Sequence, residues 1–285
     1  MKKIDTLVDD IHDLFDPETE SLPITFPLHY ETFAHNVMKS LQKYLGKREE
    51  REPALYMSSI GRKCKRQLWY MMNKPEVGEK LRPATYLKFF FGDFYEELLL
   101  LFAKTAGHTV TGEQDSLVVN DLRGRRDAVI DGRLVDIKSA SSRSFDKFED
   151  IDQLRDNDPF GYLPQLDLYL HASKEDPLVE DKDCASFFAV DKQMGKLTLA
   201  TVPKRDVDYE VEIQEIKDQM ALEEPPERPF MPIADGKSGN YKLPVNCSYC
   251  DFKQECWPGL RTFIYSNGPR YLTTVERIPD VTEVT

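Results

Sequence analysis

Two aspartates and a lysine form the first pattern in the sequence that could carry out chemistry. Asp127 lies in one predicted strand, and Asp136 and Lys138 lie in the next, across a tight turn predicted at Asp131-Gly132. Because side chains alternate along a strand, Asp136 and Lys138 should point to the same face. A register that sets Asp127 beside Asp136 would place two carboxylates next to one amine.

Such a group of charges suits phosphodiester hydrolysis. Two neighbouring carboxylates repel each other unless a cation neutralises them. Mg²⁺ typically takes one or two carboxylates and completes its coordination with water and substrate phosphate. A lysine beside them could orient or deprotonate the attacking water and offset the charge that builds on the phosphorane. An isolated Asp-x-Lys triplet is more typical of a surface ion pair, so the pattern gains weight only from other motifs.

The cysteines give a second pattern. The spacing Cys247-x2-Cys250-x5-Cys256 places three soft ligands on a short segment, and Cys64 can supply a fourth. Four thiolates can hold zinc or an iron–sulfur cluster, and their number alone does not separate the two. An odd number of cysteines without a secretory signal argues against a disulfide framework. Cys184 lies in an apolar run and is expected to be a core residue.

Taken together, the motifs resemble the PD-(D/E)xK nuclease superfamily. More narrowly, they resemble its RecB-type branch, which includes the AddB nuclease and the CRISPR-associated RecB-like exonucleases. In that branch a metal ligand, commonly His, follows four residues after a glycine. Gly92 is followed here by Glu96, and the adjacent Glu97 is a competing candidate. Carboxylate oxygen in place of nitrogen still suits Mg²⁺ or Mn²⁺.

The resemblance also implies roles for other residues. The branch has a Gln followed four residues later by a Tyr, which Gln165 and Tyr169 match, and this spacing puts both on one helical face. The catalytic residues implied are Asp127, Asp136, Lys138, Gln165 and Tyr169. The metal-binding residues implied, for Mg²⁺ or Mn²⁺, are Glu96, Asp127, Asp136 and Ile137. The resemblance further implies a 4Fe–4S cluster, with zinc as the alternative, held by Cys64, Cys247, Cys250 and Cys256.

Hydrophobic periodicity predicts the elements that must position these residues. A helix is expected within 54–74, a helix buried on nearly every side over 86–108, and an antiparallel meander of strands at 116–120, 125–131 and 133–140. A helix near Pro164, a strand pair, an amphipathic helix over 207–224 and a Pro/Gly-rich surface linker should follow.

These elements predict an α/β fold. The resemblance implies a restriction-endonuclease-like core with a mixed central sheet flanked by helices, plus an iron–sulfur module and an N-terminal helical extension. The expected boundaries are 1–52 for the extension, 53–235 for the nuclease core and 236–285 for the cysteine-cluster module, which Cys64 joins.

Composition limits the partners. The chain has 285 residues, 40% of them hydrophobic, and a formal charge of −12 from 50 acidic and 38 basic residues. This charge argues against a protein that coats nucleic acid along its whole surface, but it permits a local basic groove. Basic clusters are expected to contact a phosphate backbone, although such a cluster on a helix is also typical of a solvated face. The candidates are Arg62, Lys63, Lys65, Arg66, Arg125 and Arg126.

The expected function is that of a metal-dependent DNA exonuclease acting on single-stranded DNA or DNA ends in replication, recombination or repair. Its expected partner is DNA, with a helicase or recombination protein as a further candidate. Two alternatives stay open: a non-catalytic DNA-binding recombination scaffold, and an endonuclease of the same fold. The sequence has no apolar run of about 18 residues and no signal-peptide pattern, so no membrane partner and a cytoplasmic location, the host cytoplasm if phage-encoded, are expected.

Overall fold

The structure, a computed structural model, describes residues 2–19, 26–46, 53–62 and 64–284. The described helices are α1 (Leu7–Asp13), α2 (Phe26–Tyr44), α3 (Met57–Ile60), α4 (Lys65–Asn73), α5 (Pro83–Thr105), α6 (Ser142–Glu149), α7 (Ile151–Asp156), α8 (Tyr162–Ala172), α9 (Tyr209–Met220), α10 (Val245–Ser248) and α11 (Lys253–Cys256). The described strands are β1 (Val110–Thr111), β2 (Ser116–Val119), β3 (Leu122–Arg125), β4 (Ala128–Ile130), β5 (Arg133–Ala140), β6 (Cys184–Asp191), β7 (Leu197–Pro203), β8 (Ile233–Ala234), β9 (Tyr241–Lys242), β10 (Arg261–Tyr265), β11 (Gly268–Thr274) and β12 (Glu283–Val284). Among these described helices, none is long and apolar enough to cross a membrane.

A mixed five-stranded sheet forms the centre of the molecule, in the order β1-β4-β5-β6-β7. Strands β5 and β6 run parallel, and the other neighbours are antiparallel. Both central strands are buried along most of their length, because helices and their hydrophobic side chains cover the two faces. The expected α/β architecture, with a mixed sheet flanked by helices, is therefore confirmed.

The β4–β5 hairpin follows the sequence prediction closely. Asp131 and Gly132 have φ values of +47° and +81°, the positive values that a two-residue hairpin turn of this kind requires. Ala128 pairs with Val135 and Ile130 with Arg133. Continued by one step, this register brings the position of Asp127 opposite that of Asp136.

Two of the element predictions were wrong in part. The segment 116–119 does not join the central sheet as one strand of a meander, because it pairs with β3 in a separate two-stranded ribbon. Helix α5 is not buried on all sides: Leu99, Leu100 and Ala103 are in the core, but Phe89 and Phe91 near its beginning are exposed. The sequence shows that α5 is hydrophobic on most sides, but it does not show how much of the helix the central sheet covers.

The segment predicted as one helix within 54–74 forms α3 and α4, which are separated near Gly61. This glycine lies directly against Gly161, the residue before α8, which has a φ of +73°. A β-carbon at either position would collide with the backbone of the other, so only glycine fits. The contact holds α3 against the beginning of α8.

The C-terminal part contains a second five-stranded sheet that the sequence analysis missed, in the order β12-β10-β11-β9-β8. Two of its short strands, β8 and β9, lie in the segment predicted as a surface linker. The predicted strand pair is confirmed as β6 and β7, and the predicted helix over 207–224 is α9. In the predicted N-terminal extension, α1 buries Leu7 and Ile11 in the same hydrophobic cluster as Leu99 of α5.

Candidate active site

The predicted catalytic side chains line a single cavity of about 1010 Å³. It lies between α2, α5, the β2–β3 ribbon, β5 and α8. Each of these elements contributes side chains that the sequence analysis selected or that carry charge. The residues selected beforehand that line it are Glu96, Glu97, Arg125, Asp127, Asp136, Lys138, Gln165 and Tyr169.

Asp127, Asp136 and Lys138 form the charged centre of this cavity. One oxygen of Asp127, Oδ2, accepts a hydrogen bond of 2.6 Å from the backbone N–H of Ile137. Lys138 Nζ lies 2.5 Å from Asp136 Oδ2. Asp136 Oδ2 is therefore a buried carboxylate oxygen whose described partner is the Lys138 ammonium.

Burial and the charge of Asp136 raise the pKa of Asp127 to about 7. Burial disfavours the charged form of Lys138, but the carboxylates of Asp136 and Asp127 outweigh this effect and raise its pKa above the ordinary value. Lys138 is therefore a firmly protonated cation in this arrangement. Such a group stabilises negative charge, and it is a poor acceptor for a proton from water.

Glu96 and Glu97 lie in different electrostatic surroundings. Burial, followed by the charge of Asp127, raises the pKa of Glu96 to about 9. Its Oε1 accepts a hydrogen bond from the side chain of Gln114. Glu97 instead accepts a hydrogen bond of 2.9 Å from Asn36 Nδ2 in α2, and its pKa is raised mainly by burial and by the charges of Glu113 and Asp93. Glu96 is the one of the two that faces the aspartates.

The donor set fits a hard divalent cation with few protein ligands. Among the residues that the structure describes, no three or more His, Cys, Asp or Glu side chains converge into a metal-binding group. The carboxylates of Glu96, Asp127 and Asp136 nevertheless outnumber the ammonium of Lys138 beside them, and their mutual repulsion leaves negative charge for a cation to neutralise. Mg²⁺ often takes only one or two carboxylates. Ile137 has no ligating side-chain atom, so only its backbone carbonyl could participate.

Gln165 and Tyr169 lie one turn apart on α8, and Gln165 Nε2 donates a hydrogen bond of 3.1 Å to the Tyr169 hydroxyl. Burial raises the pKa of Tyr169. The ribbon approaches this tyrosine closely at Gly124, where an added β-carbon would lie 2.8 Å from the ring and 2.5 Å from Met57 Sδ. The predicted pairing of these two side chains on one helical face is confirmed.

Helix α2 contributes one wall of the cavity, which the sequence analysis did not anticipate. Lys39 and Lys43 line this wall, and Lys43 Nζ is 2.9 Å from Asp93 Oδ2 of α5. Across the cavity, Arg123 and Arg125 of the ribbon are exposed. The sequence predicted only a helical extension over 1–52, which does not reveal which part of the fold α2 covers.

The prediction that Arg126 contacts nucleic acid was wrong, and Arg66 is partly buried with partners inside the fold. Arg126 is only 1% exposed, and its guanidinium forms contacts of 2.6 Å with both Asp115 and Asp176, so it cannot reach a phosphate backbone. Arg66 donates to the carbonyl oxygens of Pro225 and Pro226 at 3.1 and 2.8 Å. These cations stabilise the fold.

Two other basic residues of that prediction are partly buried. Lys65 donates to the carbonyl of Ile60 at 3.3 Å, and burial lowers its pKa. Arg62 is half-buried. Lys63 lies outside the described residues.

The four cysteines of the second pattern line one small cavity of about 20 Å³. Burial and the proximity of the other thiols raise the pKa values of Cys247 and Cys250 to about 12. The thiols are therefore neighbours, although no three of them form a ready metal-binding group in the described chain. Cys184 is half-buried at the beginning of β6 and not fully in the core as predicted.

One comparison with known proteins, the family profile, agrees with the motif analysis at the level of the superfamily. The sequence profile described as "PD-(D/E)XK nuclease superfamily" matches residues 10–257. A solved structure titled "Crystal structure of SSO0001" is 16% identical, with 78% of this chain and 94% of that chain covered and a TM-score of 0.40. No curated protein matched the sequence.

Proposed function

Because the chain belongs to the PD-(D/E)XK nuclease superfamily, we propose that it is a Mg²⁺- or Mn²⁺-dependent deoxyribonuclease that degrades DNA from an end. Membership of the superfamily implies a nuclease. The exonuclease mode, the preference for single-stranded DNA or DNA ends, and a role in replication, recombination or repair are parts of the proposal. A helicase or recombination protein is the further partner proposed.

The observation that carries the proposal is the excess of negative charge at the centre of the cavity, where Glu96, Asp127 and Asp136 lie beside Lys138. The β4–β5 register, continued by one residue, sets Asp127 opposite Asp136, and Lys138 forms an ion pair with Asp136. When bound, a divalent cation polarises the scissile phosphate and lowers the pKa of a bound water. Asp127 and Asp136, with Glu96, are the side chains that would hold it.

The remaining residues would act on the substrate. Lys138 holds its proton and stabilises the negative charge that develops on the phosphate oxygens. Tyr169, fixed by Gln165, would position the substrate or the water. Lys39 and Lys43 on one wall and Arg123 and Arg125 on the other can contact phosphates on either side of the reacting one.

Helix α2 supports the exonuclease mode. The reacting groups lie in a cavity with α2 as one wall, and Asn36 and Lys43 anchor this helix to α5 through Glu97 and Asp93. A walled cavity favours a strand that enters by its end over a continuous duplex.

The test is degradation of linear and circular DNA with Mg²⁺, with Mn²⁺ and with EDTA. We expect loss of linear single-stranded DNA in either metal and none in EDTA. Asp136→Ala and Lys138→Ala should abolish activity and leave the circular dichroism spectrum unchanged. Asp121→Ala, which removes an exposed aspartate at the tip of the ribbon, is the matched control and should remain active. Full activity of Asp136→Ala would overturn the proposal.

The same assay separates the two alternatives. Cleavage of circular DNA would assign an endonuclease. Binding of DNA without cleavage in any metal would assign a non-catalytic recombination scaffold.

We also propose that Cys64, Cys247, Cys250 and Cys256 hold a 4Fe–4S cluster, because the four thiols line one cavity. Protein purified without oxygen should be brown, with the broad visible absorbance of thiolate-ligated iron and with equal amounts of iron and inorganic sulfide. Cys64→Ser should lose this absorbance, whereas Cys184→Ser should retain it. Colourless protein with one equivalent of zinc would replace the cluster by a zinc site.

A further inference from the structure

A chain of aromatic rings runs from the active site to the surface. Lys138 Nζ lies 5.0 Å from the centroid of the Tyr162 ring. The Tyr162 ring is 5.6 Å from that of Phe160, and Phe160 is 6.0 Å from Tyr249. Tyr162 is partly buried, whereas Phe160 is 46% exposed and Tyr249 is 69% exposed. The chain of rings therefore begins next to the catalytic lysine and ends in two exposed rings.

The loop that carries Phe160 is held firmly. The buried carboxylate of Asp158 accepts hydrogen bonds from the backbone N–H groups of Gly161 and Leu163, at 2.8 and 2.9 Å. Gly161 is also fixed by its close backbone contact with Gly61. Phe160 is thus presented on an ordered loop, and a ligand that contacts it incurs little additional loss of conformational entropy.

A second contact joins this loop to the segment that carries Tyr249. Asn246 Nδ2 donates a hydrogen bond of 3.2 Å to the carbonyl oxygen of Pro159. The Phe160 and Tyr249 rings are tilted by 68° to each other in an edge-to-face contact, which leaves ring surface on both for a flat ligand. Two adjacent, exposed aromatic rings held in this way form an apolar patch, and such a patch is typical of a binding site.

We propose that Phe160 and Tyr249 form a stacking platform for the unpaired bases of the DNA strand whose phosphate lies at Lys138. This inference rests on the proposed function. Phe160 is separated from Lys138 by one ring, that of Tyr162. A few nucleotides at about 3.4 Å each can cover this distance. Bases stack on aromatic side chains in single strands of any sequence, whereas the paired bases of a duplex are already stacked on each other. The platform selects single-stranded substrate next to the reaction centre.

The test measures binding without cleavage, in the Asp136→Asn background. A fluorescently labelled single-stranded oligonucleotide is titrated with protein in Mg²⁺, and a blunt duplex of equal length is titrated in parallel. Phe160→Ala and Tyr249→Ala should each raise the Kd for the single strand by about 5- to 100-fold, the range for loss of one base–aromatic stack, with little change for the duplex. Tyr249→Phe should restore binding, and Phe160→Leu, which keeps an apolar side chain without a ring, should not.

Tyr241→Ala is the matched control, because Tyr241 is as exposed as Phe160 but lies in β9 of the C-terminal sheet. It should bind as the parent protein does. An oligonucleotide that contains 2-aminopurine should show quenched fluorescence on binding, and the quenching should be lost in Phe160→Ala. Circular dichroism melting verifies that each variant is folded. A single-stranded RNA of the same sequence forms a third arm.

Unchanged single-strand affinity in both alanine variants would overturn the platform, as would an equal loss in Tyr241→Ala. Full affinity of Phe160→Leu would also overturn it, since apolar contact would then suffice. Ring-dependent binding confined to the RNA arm would overturn the assignment to DNA. The two proposals fail separately: ring-dependent binding by a wild-type protein that cleaves nothing refutes only the nuclease, and cleavage with ring-independent binding refutes only the platform.

Discussion

The centre of the candidate active site and the cluster around Arg126 each contain two aspartates and one basic side chain, but their charges are balanced differently. Arg126 contacts Asp115 and Asp176 at 2.6 Å each, and its Nε donates to the carbonyl of Gly112 at 3.1 Å. In the cavity, by contrast, Lys138 pairs with Asp136, and burial and the charge of Asp136 still raise the pKa of Asp127.

The difference separates structural from functional charge. A buried charge that is fully paired contributes to a unique fold, whereas buried carboxylates in excess over their cations are costly and persist where a ligand neutralises them. In the cavity this cost is consistent with a cation and a phosphate as the missing partners. Three variants test the contrast, in order of decreasing effect on stability.

Arg126→Met should have the largest effect. It removes the hydrogen bonds of a buried guanidinium to Asp115, Asp176 and the Gly112 carbonyl, and we expect the free energy of unfolding to fall by about 3 kcal/mol. Urea denaturation followed by circular dichroism gives this value. Arg155→Met is the control, because Arg155 forms an exposed pair with Asp152, and it should change stability by less than about 0.5 kcal/mol. Equal values for the two variants would remove the distinction.

Asp127→Asn should act in the opposite direction. In EDTA at pH 8 the variant should be more stable than the wild type by about 1–2 kcal/mol, because it removes one of the repelling carboxylates and one pKa unit corresponds to about 1.4 kcal/mol. The amide oxygen can still accept from the Ile137 N–H. Nuclease activity should be lost, and Mg²⁺ should raise the Tm of the wild type only. A lower denaturation midpoint for the variant would contradict the idea of stored repulsion.

Asp176→Asn should have a small, pH-dependent effect. Burial opposes ionisation, but the Leu178 N–H and the Arg126 guanidinium outweigh it and lower the pKa of Asp176 below 3.8. A carboxyl group whose pKa is lowered by folding stabilises the folded state at pH values above its unfolded-state pKa. This contribution is lost as the pH falls through the folded-state pKa. The wild type should therefore lose stability between about pH 5 and pH 3 more steeply than the variant, by less than about 1 kcal/mol in total. Parallel curves would mean that Asp176 does not take part.

The sequence predicted the centre of the site because its determinants are local. The Asp131-Gly132 turn sets the β4–β5 register, and spacing of four residues places Gln165 and Tyr169 on one helical face. The contribution of α2 could not be predicted, since its position depends on contacts with α5 such as Lys43 with Asp93. The C-terminal sheet was missed because strands of two residues leave no periodic pattern.

The sequence contained a signal that only one of Arg125 and Arg126 can face a phosphate backbone. Consecutive residues of an extended chain point to opposite sides, so Arg125 and Arg126 could not both face a phosphate backbone. The structure exposes Arg125 and buries Arg126. Which of the two is inside depends on Asp115 and Asp176, which come from separate parts of the chain.

The contact between Gly61 and Gly161 offers a means of recognising distant relatives. A β-carbon at either position would force the backbone of the other to move. We therefore expect related chains to keep both glycines or to have lost both. One glycine lies near the first cysteine and the other immediately before the helix of Gln165. A jointly kept pair of glycines at these places would mark a homologous chain even where the acidic motif has diverged beyond recognition.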